Sequence, residues 1–125
     1  MGAPSMLKSL EQNKLVTLEK INGFVDGVAV KKVGNYSFDY CKDFLDDIIL
    51  IDEGEICKSI IDLNKIEGIK AEPAGAMSAA ALRLYKDNIT NKNVVCIICG
   101  GNSDEQRMPE INKRAKTWMI NNPSC

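Results

Sequence analysis

An α/β protein, built as part of a doubly wound parallel sheet with helices on both faces, is what this 125-residue sequence predicts. Three observations carry that expectation. Ile48-Ile49-Leu50-Ile51 and Val94-Val95-Cys96-Ile97-Ile98 are short apolar runs without alternation, as expected of strands buried on both faces of a parallel sheet. Around them apolar residues recur at helical spacing, so helices alternate with short strands and the sheet is covered on both sides. The second run is halted by Gly100-Gly101. In open α/β sheets the ligand crevice lies beyond the carboxyl ends of the strands, and glycines there let backbone approach a flat or anionic group where a Cβ would collide. The length and the apolar share of 45% suit one domain with a real core.

In chain order, SMLKSLEQN at 5–13 reads as a short helix, with Ser5 as a cap whose hydroxyl accepts a first-turn amide and Asn13 as the stop. Residues 14–34 read as loops and short extended pieces, broken by Gly23, Gly27 and Gly34. From Asn35 the pattern turns helical. Tyr36, Tyr40 and Phe44 repeat at four-residue spacing, with Cys41 and Leu45 widening the stripe that faces the core. After the first apolar run, Asp52-Glu53-Gly54-Glu55 places acids at a helix start, where the macrodipole favours them. Capping explains these acids better than catalysis does. Ile56, Ile60, Ile61 and Leu63 supply that helix's buried face, and Gly68 closes it. Pro73 holds Glu72 extended, and the small residues of 74–81 open a further helix running to Asn88, on a surface that another backbone or a cofactor can approach closely. The last helix spans Asp104 to Ile120, with Met108, Ile111, Ala115, Trp118 and Met119 available to pack and Pro109 suited to a helix beginning near Met108. No internal repeat or low-complexity segment is evident.

Sixteen basic residues face seventeen acidic ones, with no basic block or aromatic-interleaved patch, which argues against a nucleic-acid partner. Cys41, Cys57, Cys96, Cys99 and Cys125 are scattered and odd in number, so reduced thiols are expected. Cys96 and Cys99 form the pattern CIIC, but no second ligand pair follows and the chain contains no histidine. A structural zinc site is therefore not expected, and mechanisms that need an imidazole base are excluded. No apolar run approaches the length of a membrane span, and MGAPSMLKSL lacks the plan of a signal peptide. The expectation is a soluble protein of the cytoplasm or an organelle matrix.

FVDGVAVKKVG at 24–34, LDDIILIDEGEI at 45–56, AEPAGAMSAAAL at 71–82 and CGGN at 99–102 resemble the threonine dehydratase (threonine ammonia-lyase) and serine dehydratase family of pyridoxal-phosphate enzymes. The resemblance runs in order over about residues 2–115. It implies fold type II, built like the tryptophan synthase β chain, with residues 1–125 as the carboxyl-terminal portion of one catalytic domain: loops and short extended pieces over 1–34, alternating helices and strands over 35–120, and no regulatory domain. GAPSM at 2–6 looks like the family loop after a Glu-Pro pair. The cofactor-binding lysine, an asparagine facing the pyridine ring and the glycine-rich phosphate loop would then lie upstream. Lys31, Lys32 and Lys70 do not stand in the lysine's motif and read as surface residues.

The resemblance further implies site residues. Cys99 stands where the family carries a serine or cysteine beside the pyridine nitrogen; without the resemblance it would read as a buried structural thiol. Glu72 matches the glutamate near the ring. Gly100, Gly101 and Asn102 would shape the cofactor wall, and Gly27 would sit in a loop near the ring. No metal ligand is expected within the chain. The implied reaction is β-elimination of L-threonine to 2-oxobutanoate and ammonia, or of L-serine to pyruvate, as used in isoleucine biosynthesis. The implied partner is a small amino-acid substrate, and the parent enzyme is expected to be a homo-oligomer. Lacking the lysine and phosphate loop, the chain alone is expected to be inactive. Two rival readings are a non-catalytic α/β module that binds a ligand or partner through the CGGN crevice, and a truncated product without a stable fold.

Overall fold

The computed structural model describes residues 2–102 and 104–123. The expectation of a reduced thiol at Cys125 lies outside the described residues, whereas Cys41, Cys57, Cys96 and Cys99 are free thiols. The chain divides into two compact units, Met1–Leu50 and Ile51–Cys125.

In the first unit, helix α1 covers Ser5–Glu11 and helix α2 covers Asn35–Phe44. Ser5 does not cap α1: it is the first helical residue, 2% exposed, and Pro4 occupies the cap position with no side-chain hydrogen bond. The Ser5 amide instead donates to the Ala3 carbonyl at 2.9 Å. The serine with the organising role is Ser9, whose hydroxyl donates to the Ser5 carbonyl at 2.7 Å and accepts the Val16 amide at 3.0 Å. It thus ties the returning chain to the helix. Asn13, at φ +50°, turns the backbone out of the helix as expected. Leu18, Phe24, Val25, Val33 and Phe38 are the buried apolar side chains of this unit.

The aromatic row of α2 corrects the sequence reading. Tyr36, Tyr40 and Phe44 are 86%, 69% and 75% exposed, and Leu45 is exposed too, whereas Phe38 is buried and Cys41 half-buried. A helix can place either the 36/40/44 row or the 38/41 pair inward, and periodicity alone does not choose between them. Tyr40 and Phe44 stack on each other with ring centroids 5.7 Å apart.

The second unit is organised by α3 (Glu53–Glu67), α4 (Met77–Tyr85) and α5 (Met108–Asn121). The Asp52 carboxylate accepts the Gly54 amide at 2.7 Å and caps α3, and Glu53 and Glu55 lie in its first turn, where the exposed amide dipoles favour acids. Gly68, at φ +68°, ends the helix: its amide donates to the Asn64 carbonyl and the Ile69 amide reaches back to Leu63. Ile56 and Ile60 are buried, while Ile61 and Leu63 are half-buried on the flank. Ile56, Cys57, Ile111, Ala115 and Trp118 make the core between α3 and α5. A Cβ at Gly54 would overlap the Cβ of Trp118 and stand 3.0 Å from the Arg114 carbonyl, so only glycine admits α5 this close. Arg114 braces the contact from outside, bonded to Glu53 at 2.7 Å and Glu110 at 2.8 Å. Helix α5 starts at Met108 with Pro109 in its first turn, after a 3₁₀ turn over Glu105–Arg107 that Asp104 caps.

The expected strands are absent among the described residues: 48–51 and 94–98 carry neither helix nor strand. A parallel strand is defined by a backbone ladder to a neighbour, and none forms here. Val94, Val95 and Ile97 are 45%, 88% and 78% exposed. Helix α4 is also shorter than the sequence implied, because turns occupy 73–76.

Candidate functional site

Within the second unit, the stretch 72–78 and the stretch 96–100 run alongside each other, and the residues that meet there are those of the AEPAGAMS and CIICGG segments. The Glu72 amide donates to the Gly100 carbonyl at 2.8 Å. Gly100 has φ +73°, and a Cβ on it would overlap Cγ and Cδ of Glu72, so the glutamate side chain lies directly over the Gly100 α-carbon. A Cβ on the buried Gly75 would fall inside the Cys99 carbonyl. Both glycines are therefore required by close approach, and at Gly100 by backbone conformation as well. Further along, the Ser78 hydroxyl donates to the Ile97 carbonyl, and the Cys96 thiol donates to the Ser78 carbonyl at 3.6 Å.

The sequence-derived residues fall into two places. Glu72, Cys99 and Gly100 are brought together, with Glu72 half-buried and Cys99 exposed rather than sealed in the core. Gly101 and Asn102 follow at once and are exposed, and a Cβ on Gly101 would meet no atom within 4 Å. Gly27 belongs to the first unit, in the 3₁₀ turn Asp26–Val28, where its amide donates to the Asp26 carboxylate at 3.1 Å. Lys31 and Lys32 are exposed, and the Lys70 ammonium pairs with Glu105 at 3.0 Å on the surface.

Two titratable groups of this unit stand apart from that corner. Burial pushes the Cys57 thiol up to about 12, against the lowering influence of Arg114, which makes it an inert core residue. Burial also raises the Glu55 carboxyl above its ordinary value, opposed by Arg83 and assisted by Asp52. Among the described residues no group of three or more His, Cys, Asp or Glu could hold a metal, and no helix is long and apolar enough to cross a membrane.

Residues 1–100 match the family described as pyridoxal-phosphate dependent enzyme. The chain belongs to that family. It is 53% identical over 114 residues to the L-threonine dehydratase biosynthetic IlvA of Halalkalibacterium halodurans, covering 91% of this chain and 28% of that protein. The same enzyme of Bacillus subtilis is 50% identical over 114 residues, covering 91% of this chain and 27% of that one. Among solved structures, the processed form of threonine deaminase isoform 2 from Solanum lycopersicum superposes with a TM-score of 0.86 at 31% identity, over 93% of this chain and 32% of that chain. The chain thus spans between a quarter and a third of the relatives it matches.

The family's cofactor is pyridoxal phosphate, and the corner at Cys99 fits one side of it. An exposed thiol followed by Gly100 and an open Gly101 presents backbone and a weakly polar atom without bulk, as a flat ring requires. Sequence reasoning anticipated that the small residues of 74–81 admit close approach; the structure identifies the approaching backbone as that of Cys99. It missed Ser78, because a serine inside a run of alanines looks like one more small residue until its acceptor, nineteen positions away, is known.

Proposed function

We propose that this chain is the carboxyl-terminal portion of the catalytic domain of a threonine ammonia-lyase, acting on L-threonine, or on L-serine, with pyridoxal phosphate as cofactor. The observation that carries the reading is the meeting of Glu72, Gly75, Cys99 and Gly100 in one corner. These residues come from two of the segments that resemble the dehydratases, and relatives at about half identity bear the threonine dehydratase name. In the same reading Val94–Ile98 is a strand of a parallel sheet whose neighbours belong to the remainder of a longer protein. Its β-branched composition and the exposure of Val95 and Ile97 support this. The working enzyme is a homo-oligomer of the cytoplasm or an organelle matrix.

When bound, the cofactor supplies an electron sink for the pair released as the α-proton is removed. Cys99 would stand beside the ring nitrogen. A thiol there, unlike a carboxylate, does not hold a proton on that nitrogen, so the sink stays moderate and loss of the β-hydroxyl is favoured over transamination. Gly100, Gly101 and Asn102 would form the wall that holds the ring. The Glu72 carboxylate, held over Gly100, would position the ring and could accept or return a proton at its edge. Threonine loses water to give an enamine, which takes up water to give 2-oxobutanoate and ammonia.

The test is reconstitution. This chain mixed with cofactor and threonine yields 2-oxobutanoate no faster than free cofactor does, whereas fusion to the amino-terminal portion of a threonine dehydratase relative, which supplies lysine and phosphate loop, produces it. A folded fusion that binds the cofactor but converts neither threonine nor serine refutes the proposal.

A further inference from the structure

Four contacts zip the 72–78 stretch to the 96–100 stretch. Glu72 donates its amide to Gly100, Gly75 lies against the Cys99 backbone, Ser78 donates its hydroxyl to the Ile97 carbonyl, and Cys96 donates its thiol to the Ser78 carbonyl. Of the contributions from the 72–78 stretch, the first is main chain and the second is the absence of a side chain; among the described residues, the side-chain bond from this stretch is that of Ser78. On the α4 side, the 96–100 stretch is held by these contacts. The Ile97 carbonyl is two residues from Cys99, and a shift there is passed along a nearly inextensible backbone to the thiol.

We propose that Ser78 is a positioning residue for Cys99: its hydroxyl, bonded to the Ile97 carbonyl, sets how closely the 96–100 backbone lies on α4 and hence where the thiol stands. The role of that thiol rests on the cofactor reading above; the latch itself does not. A neutral hydrogen bond of this kind changes a local opening equilibrium by about five- to ten-fold.

The experiment is amide hydrogen exchange on this 125-residue chain, with the cofactor's absorbance band followed in the reconstituted fusion. Ser78→Ala is expected to speed exchange of the Glu72 amide about five- to ten-fold while Ile111 and Ala115, in the α3–α5 core, stay as they were. It is also expected to displace the band, and Ser78→Thr, which keeps the hydroxyl, is expected to restore both. Glu72 exchange that stays put in Ser78→Ala, or rises together with Ile111 and Ala115, overturns the proposal, as does failure of Ser78→Thr to restore it. Cys99→Ala displaces the band without changing Glu72 exchange; a band indifferent to Cys99→Ala would instead overturn the cofactor reading.

Discussion

The α3–α5 pair and the 94–102 stretch belong to the same unit and are both rich in apolar residues, yet the first is closed and the second is open. Ile56, Ile111 and Ala115 are at most 1% exposed, while Val95 and Ile97 are among the most exposed apolar side chains of the protein. The difference lies in where each segment finds its backbone partners. A helix satisfies its own amides and carbonyls and has only to bury one face. An extended run must borrow partners from a neighbour, and among the described residues 94–102 borrows from the 72–78 stretch. A segment held on one side and unoccupied on the other is what a ligand wall, or an interior strand awaiting its sheet, looks like.

That comparison is broken most severely from the closed side. Trp118→Ala empties the space between α5 and the first turn of α3 and is expected to cost about 3–5 kcal/mol, read as the urea midpoint of the second unit. Survival of the α3–α5 amides at wild-type protection would show that the pair is not the unit's core. Next comes Gly75→Ala, whose methyl must push the Cys99 carbonyl away. A local loss of about 1–3 kcal/mol is expected, visible as fast exchange at Glu72 with Ile111 still protected. Equal loss at both positions would erase the distinction between the two regions.

Cysteine chemistry sharpens the contrast. Cys57 is fully buried with its thiol pushed up to about 12, whereas Cys99 is exposed. At pH 8 a maleimide is expected to label Cys99 promptly and Cys57 only at the rate of unfolding, as peptide mass mapping would show. Glu55 makes a smaller, pH-dependent effect. Its pKa is raised in the folded state from an ordinary value of 4.5, mainly by burial, so the folded state binds more protons than the unfolded one above that pH. Stability should therefore fall as pH climbs from about 4.5 through the folded value, and then level off. Glu55→Gln is expected to flatten that slope. A slope that persists unchanged assigns it elsewhere. The smallest effect belongs to Lys70→Met, which removes an exposed ion pair with Glu105 and should alter stability by less than about 1 kcal/mol.

Helix ends were legible because their causes are local. Asp52 capping α3, Gly68 and Asn13 turning out of their helices, and Pro109 opening α5 each act within a few residues of their own position. Ser5 shows the limit of that logic: a hydroxyl at a helix start does not cap it when Pro4 takes the cap position and Ser5 itself is buried. The segments that carry Glu72 and Cys99-Gly100 lie side by side, with the Glu72 amide on the Gly100 carbonyl.

By itself the sequence determined that helices form over these segments and where α1 and α3 stop, since hydrogen bonding within one turn is a property of short segments. Only tertiary structure decided that Phe38 rather than the Tyr36, Tyr40 and Phe44 row turns inward, that Trp118 claims the space over Gly54, and that Ser78 reaches Ile97. It also decided that 94–98 forms no ladder among the described residues. Burial and strand pairing are made between segments distant along the chain, so their outcome depends on which surfaces are present to meet.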